Sequence, residues 1–585
     1  MKKIITLLIV FSFCSVEKVH FSPEKRFSIS TRWKIFLWEA YYKKMWEDHL
    51  NRLTNILADQ IDDSVKIGQI IHTGINGIEV QSIIQEQIKN YCPGGIILFK
   101  ANIKSKEQLI HLIYSLQDIS IKYCKIPLFF SIDQEGGRVE RITDFVTEFP
   151  GAMAIGQTLN YEYAWLSGFI TGYELSQLGI KMIFAPVADI NNNPENPVIN
   201  TRSFGSKKEE VSLMVQSYIR GINYTNALGF LKHFPGHGDT KIDSHLDLPI
   251  INKNKNQLYE FELVPFIDGI KSGAKGVMVA HILYPELDQN FPSTLSSNII
   301  SELLIKELNF NGLIITDAME MKAISDRYTL EKSSLLSLNA GVHIILLTAQ
   351  NENIKKIYNK IEESIKENQI SKEKIEKSFR KQLYYKLDTG LWKIEELVEN
   401  FKIPQEEIEI YQTILNFKNN LSENIYKEIL NQEVDLSYKI SYEAIRSLYK
   451  DFSILHLNQE NAYFFIDSEE MKNEIKILLK NNNNFYIYNK KELLRLKNSF
   501  NKNDIIIIEI KNLNEWNEIS KYNINYKLLI GLLTGNPFAR VILKENQYII
   551  VSFSPTKSSK KAMIDKIFKE NILKAEIPYL PLLNE

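Results

Sequence analysis

The chain has 585 residues, more than one hydrophobic core usually organises, so two folded domains are expected. With 44% hydrophobic and 24% charged residues, the composition is that of an ordinary globular protein and excludes long-range disorder. Lys and Arg number 70 against 71 Asp and Glu, a formal net charge of -1, which gives no pull toward nucleic acid or an anionic surface and suits a neutral polar substrate.

Met1, Lys2 and Lys3 precede an apolar run over 4–13, the charged and hydrophobic regions of a secretory signal, and the run is too short to span a bilayer as a helix. Residues 1–20 are read as a signal peptide and the protein as exported, either periplasmic or membrane-anchored on the extracytoplasmic side. Cys14 is placed to become the lipidated first residue of a mature lipoprotein, which would supply membrane attachment. The competing reading is an unmodified Cys near a cleavage site, because Phe13 is bulkier than lipoprotein signals usually tolerate. The aromatic-rich stretch WKIFLWEAYYKKMW that follows predicts a helix packed on the body of the protein, in preference to a membrane-proximal surface. Cys14, Cys92 and Cys124 have no CxxC spacing or His-rich neighbourhood and are too few for a disulfide framework, so neither a metal nor a structural disulfide is expected.

Between Ile67 and Leu347 eight short apolar runs recur, each followed by polar or Gly-rich residues and then helical sequence. In order they are IGQIIHTG, GGIILF, IPLFFSID, IKMIFAPVAD, ALGFLKHF, KGVMVAH, NGLIITD and GVHIILL. Repeated βα units of this kind predict a (β/α)8 TIM barrel, assigned to residues 45–395. Asp133, Asp189, Lys232 with His233, His281 and Asp317 all stand at the carboxyl ends of these runs, which in such a barrel converge on one mouth.

The segment SKEKIEKSFRKQLYYKLDTGL predicts a helix closed by Gly390, and charge-rich helical sequence after it marks a boundary near residue 400. Beyond it FSILHL, AYFFID, NFYIYN, DIIIIEI, KLLIGLL and QYIIVSF alternate with Lys- and Glu-rich helical stretches, and the Asn run at 481–484 reads as a loop. Residues 400–585 are therefore expected to form a smaller C-terminal α/β sandwich domain, read as a packing or interaction module because no motif there supplies a catalytic group.

The densest chemistry is KHFPGHGDTKIDSHLDLP, which begins at Lys232 and packs three histidines, three aspartates and two glycines into a strand end and its loop. Asp243 and His245 sit two apart, where a carboxylate can hold an imidazole in one tautomer and raise its basicity for proton transfer to a leaving oxygen. A metal reading of His233, His237, His245 and the aspartates fails on spacing, which matches no standard ligand frame, and His237 between two glycines is read as shaping the loop. In IITDAMEM the apolar run aims Asp317 into the mouth as a candidate nucleophile, while Glu320 reads as a surface residue at a helix start.

IDQEGGRVERI, FAPVADI, NTRSFG, KHFPGHGDT, DSH, VMVAHI and TDAMEM together resemble, in order and spacing, the family 3 glycoside hydrolases, in their β-N-acetylglucosaminidase branch. The likeness is strong over residues 60–392 and continues weakly through GNPFARVI and IIVSFSP. The resemblance implies a retaining β-N-acetylhexosaminidase with Asp317 as nucleophile and His245, supported by Asp243, as acid/base. It also implies sugar contacts from Asp133, Arg202, Lys232 and His233, with Arg138 and His281 facing the pocket by position, and it calls for no cofactor. The implied substrate is an amino-sugar glycan ending in β-linked N-acetylglucosamine, such as a peptidoglycan fragment. A phosphorylase on the same intermediate is one alternative, since a neutral His admits phosphate more readily than a carboxylate would. A catalytically silent peptidoglycan-binding protein is the other.

Overall fold

The computed structural model describes residues 23–573 other than 245, 351, 433–434, 449–451, 454–461, 479–484, 523, 525, 527, 538–542, 544–545 and 570–571. Eight parallel strands form one sheet: β1 (Ile71–Gly74), β2 (Gly95–Leu98), β3 (Phe129–Ile132), β6 (Met182–Ile183), β7 (Leu228–Phe234), β8 (Gly276–Val279), β9 (Leu313–Thr316) and β10 (Ile345–Leu346). The short hairpin β4 (Gln134–Gly136) and β5 (Val139–Glu140) lies outside it, after β3. β10 pairs with β1, and a parallel bridge between Ile315 and Ile344 joins it to β9, so the sheet closes into the expected barrel.

The strands are continuous apolar runs because both their faces are covered. Ile97, Phe129, Phe184, Phe230, Leu313 and Ile315 fill the barrel interior. Ile96, Leu98, Phe130, Leu231 and Ile314 alternate with them and pack outward against the helices. The bottom is closed by the helix Lys372–Asp388, whose N-cap Ser371 accepts from the Lys374 N–H and whose end is followed by Gly390 at φ 59°. From it the buried Lys386 ammonium donates to Gln69 Oε1 at 2.6 Å, Gly94 O at 3.0 Å and Pro127 O at 2.6 Å, tying together the chain just before β1, β2 and β3.

The aromatic-rich N-terminal stretch is helical over Ile29–Leu37, Trp38–Tyr42 and Lys43–Ala58. Trp38 and Tyr42 stack on Phe417 and Trp46 on Tyr411, both from the long helix Gln405–Gln432. Trp46 Nε1 also donates to Asp388 at 2.8 Å, so this segment packs on the helical layer as its aromatic content predicts. Among the described residues no helix is long and apolar enough to cross a membrane.

One expectation is overturned: Cys92 and Cys124 form a disulfide, with Cα atoms 5.6 Å apart. Cys92 caps the helix Ser82–Tyr91 and Cys124 ends the neighbouring helix Lys106–Cys124, so two successive barrel helices bring together residues 32 apart in sequence. A count of cysteines cannot register such a pairing, which depends on helix packing.

The C-terminal domain centres on a six-stranded sheet in the order β11 (Arg446–Leu448), β17 (Gln547–Val551), β16 (Leu528–Asn536), β15 (Ile505–Asn512), β13 (Ala462–Phe465), β14 (Phe485–Tyr488). All its pairings are parallel except β11 with β17. Ile505 to Ile510 are buried along β15 because apolar layers cover both faces. FSILHL departs from the expected pattern: its described residues Phe452 and Ser453 form β12 and pair with β18 (Ile572–Leu573) in a separate ribbon, and β11 takes the sheet edge. The Asn run at 481–484, most of GNPFARVI and the signal segment 1–20 lie outside the described residues.

Candidate active site

The carboxyl ends of the barrel strands surround a cavity of about 640 Å3 lined by Asp133, Arg138, Arg202, Lys232, His233, Asp243 and Asp317, among others. Asp133 follows β3, Lys232 and His233 belong to β7, Asp317 follows β9, and Arg202 ends the single turn Asn200–Arg202. Residues spread across nearly two hundred positions thus share one wall because the barrel closes. The Asp317 N–H donates to Val279 O at 3.1 Å and its Oδ1 accepts from the Ala318 N–H at 2.8 Å, which fixes the carboxylate on a rigid strand end.

Beside it lies a lattice of buried charge. Arg202 forks onto Glu135 with two bonds of 2.8 Å, and Lys232 Nζ reaches Glu135 Oε1 at 2.5 Å and Asp133 Oδ1 at 2.9 Å. Arg141 closes the chain on Asp133 Oδ2 at 3.2 Å. Burial pushes the Glu135 carboxyl up, but Arg202 and Lys232 outweigh it and hold the group far below the usual carboxylate range. Burial likewise opposes ionisation of Asp133, and Lys232 with Arg141 brings the net shift downward. For Arg202 burial is outweighed by Glu135, so the guanidinium is held more firmly protonated than usual. Arg138 faces the cavity with Nη2 3.4 Å from Val198 O, and burial and then Arg202 lower its pKa.

Asp189 organises the histidines. Its Oδ2 lies 2.7 Å from His233 Nδ1, while His233 Nε2 lies 3.3 Å from Arg202 Nη2. A guanidinium only donates, so Nε2 is the acceptor and Nδ1 carries the hydrogen given to Asp189. Asp189 Oδ1 accepts the His237 N–H at 2.7 Å. Burial, then His233, lowers the His237 pKa to about 4, so this ring is neutral at neutral pH, held between Thr240 Oγ1 at 3.2 Å and Ser244 Oγ at 3.1 Å. Gly238 is required by close approach: a Cβ there would stand 1.6 Å from Ile190 O. Asn196 Nδ2 then donates to the His237 and Gly238 carbonyls at 2.8 Å each and fastens the loop.

His281 is fully buried and is not among the cavity's lining residues; its Nδ1 pairs with Thr294 Oγ1 at 2.7 Å and its Nε2 with Ala318 O at 3.0 Å, supporting the backbone beside Asp317. Glu320 corrects the surface reading: it lines the cavity and its carboxylate accepts from the Thr348 N–H at 3.1 Å and the Ala349 N–H at 3.4 Å. Burial raises its pKa against those bonds. His245 lies outside the described residues, between Ser244 and Leu246 of the loop that carries Asp243.

The sequence pattern of the glycosyl hydrolase family 3 N-terminal domain matches residues 63–384. The chain belongs to this family. It is a glycoside hydrolase of the family 3 type, its barrel being the matched region. Beta-hexosaminidase A of Pseudoalteromonas piscicida is 39% identical over 281 residues, which cover 45% of this chain and 47% of that protein, so the match spans about half that relative's length. The Beta-hexosaminidase of Shewanella frigidimarina is 35% identical over 278 residues, covering 46% of this chain and 79% of that protein. Among solved structures, a family 3 beta-N-acetylglucosaminidase from Paenibacillus sp. superposes with a TM-score of 0.72 at 27% identity, covering 86% of this chain and 96% of that one. The last likeness runs through both domains.

Sequence reasoning placed Asp189 among the strand-end residues at the barrel mouth but gave it no role, and it assigned no sugar contact to Glu135 or Arg141. A charge argument reaches Glu135: Asp133 alone cannot balance Arg202 and Lys232 once both are buried, and Glu135 is the next carboxylate along the chain.

Proposed function

We propose that the chain is a retaining β-N-acetylhexosaminidase that removes terminal β-linked N-acetylglucosamine from glycans such as peptidoglycan fragments. The observation that carries this reading is that Asp317 and Asp243 line the same cavity as Asp133, Arg202, Lys232 and His233. In the proposed reaction the Asp317 carboxylate attacks the anomeric carbon as His245, oriented by Asp243, gives its proton to the departing glycosidic oxygen. The resulting glycosyl ester on Asp317 is then cleaved by a water whose proton returns to His245, so two displacements restore the β configuration. Asp133, Lys232 and Arg202 act as directional partners for sugar hydroxyls, and such contacts accelerate the reaction where they tighten as positive charge develops on the ring. The Cys92–Cys124 disulfide supports the further proposal that the enzyme works outside the cytoplasm, exported by the segment 1–20 and, if Cys14 is lipidated, attached to a membrane.

Chromophore release from an aryl β-N-acetylglucosaminide, compared with the matching β-glucoside and repeated with added phosphate, tests this reading. The acetamido substrate should be favoured by more than about tenfold in kcat/KM, with free N-acetylglucosamine as product. Preference for the glucoside would overturn the proposed specificity, and a sugar phosphate product would make the protein a phosphorylase.

A further inference from the structure

We propose that the N-terminal helical stretch 29–45 rests on a phospholipid membrane surface that carries anionic headgroups, and that its row Ile29, Trp33, Leu37, Tyr41 and Met45 is the face that enters the lipid. The inference rests on the export proposed above and not on the proposed reaction. It assigns a task to apolar residues that neither the core nor the cavity uses.

The stretch has two opposite faces. Thr31, Ile35, Trp38 and Trp46 are buried: Ser28 and Thr31 donate to Glu428, Trp38 and Tyr42 stack on Phe417, and Trp46 stacks on Tyr411, all from the long helix Gln405–Gln432. Ile29 and Trp33 each lie two residues from Thr31 and so on the far side of the helix. Ile29 is 79% exposed, Trp33 42%, Tyr41 58% and Met45 40%, and Leu37 is half-buried without packing on the core. Trp33 and Phe36 stack on each other outside that core, with ring centroids 5.3 Å apart. Members of the row are four residues apart, and such a row drifts around an α-helix of about 3.6 residues per turn. The wider π turn Trp38–Tyr42 turns it back, so the apolar stripe stays continuous.

Charge sets the kind of surface that fits. Over 25–45 six Lys and Arg stand against one acid, Glu39, which pairs with Lys43 at 3.1 Å. Lys25, Arg32 and Lys44 are exposed and form no ion pair among the described residues. The whole chain carries a formal net charge of -1, so this excess is local. An apolar stripe edged by cations suits a bilayer with anionic headgroups, where the rings enter the boundary region and the Lys and Arg side chains reach the headgroups. A second copy of the chain seated there would set the same cations against each other. Among the described residues no helix is long and apolar enough to cross a membrane, so the contact proposed is with its surface.

The chain before the stretch leads to the same place. Eight residues separate Cys14, the residue proposed for lipidation, from Pro23, where the first described turn begins. Fully extended, that tether reaches about 30 Å at most. An anchor at Cys14 therefore keeps Pro23 within that distance of the bilayer, and the stripe that follows adds a second contact. Two such signals together hold a protein at a membrane more firmly than one lipid chain does alone.

Trp33 supplies the readout, because it is the exposed one of six tryptophans, while Trp38, Trp46, Trp165, Trp392 and Trp516 are buried. Lipids brominated in their acyl chains quench a tryptophan only on close approach. The full chain is mixed with vesicles of phosphatidylcholine containing about 30% phosphatidylglycerol. Brominated chains should quench the Trp33 share of the emission by about half or more relative to unbrominated vesicles, and Trp33→Phe should abolish the change. Ile29→Ser combined with Tyr41→Ser, both at exposed positions, should cut the quenching about threefold, and so should replacing phosphatidylglycerol by phosphatidylcholine. Absence of Trp33 quenching overturns the proposal; protein retained on the vesicles without it is attached through its first residues alone. A doubled mass in sedimentation, with Trp33 shielded from iodide before any vesicle is added, also overturns it and gives the face to a second copy. No substrate is involved, so an enzyme inactive toward N-acetylglucosaminides would count against the proposed function and leave this result standing.

Discussion

Asp317→Ala is expected to lower kcat by about 10,000-fold or more while shifting unfolding stability by no more than about 1 kcal/mol. The asymmetry follows from where the residue stands. Asp317 follows the last residue of β9, its N–H is bonded to Val279 O and its carboxylate faces the cavity, so the strand pairing and barrel core persist when the side chain is cut back. What is lost is the group proposed to form the bond to the anomeric carbon. Steady-state kinetics with urea unfolding of the same samples measures both effects, and wild-type turnover in the variant would remove Asp317 from the mechanism.

Glu135→Ala should be nearly as damaging, and for the opposite reason. Glu135 is buried between Arg202 and Lys232, so its removal strips the buried Arg202 of its carboxylate partner and leaves Lys232 paired with Asp133 alone. Breaking such an arrangement costs about 3–5 kcal/mol of stability, far above the typical surface pair. Binding should fail as well, since Arg202 and Lys232 lose the partner that aims them, and kcat/KM should fall by about 100-fold or more. Thermal unfolding read beside kcat/KM checks both, and a variant with wild-type stability would mean that the lattice is worth no more than exposed pairs.

The barrel was legible because each strand is an apolar run buried on both faces and ends in a polar residue, a pattern that survives without any knowledge of pairing. The same pattern led to Asp133, Lys232, His233 and Asp317, which stand at strand ends and meet at one cavity. Asp189 also stood at a strand end, but its task depends on contacts 44 and 48 residues away at His233 and His237, which no local spacing encodes. Glu320 looked like a helix-start surface residue because its true partners, the Thr348 and Ala349 N–H groups, arrive from the loop after β10. The Cys92–Cys124 disulfide was missed for a related reason: two helix ends meet only once the barrel has closed. The C-terminal strands were readable as apolar runs, whereas the packing of Met153 and Ala154 against that domain's sheet needs the assembled interface.

The central claim, that a sugar passes through a covalent ester on Asp317, is tested most directly by mass spectrometry of the enzyme quenched during turnover of a slow fluorinated N-acetylglucosaminyl substrate. The account predicts a protein heavier by one glycosyl residue, with the added mass on the peptide that contains Asp317. Steady turnover with no adduct and an α-configured first product, or an adduct confined to another carboxylate, would contradict it.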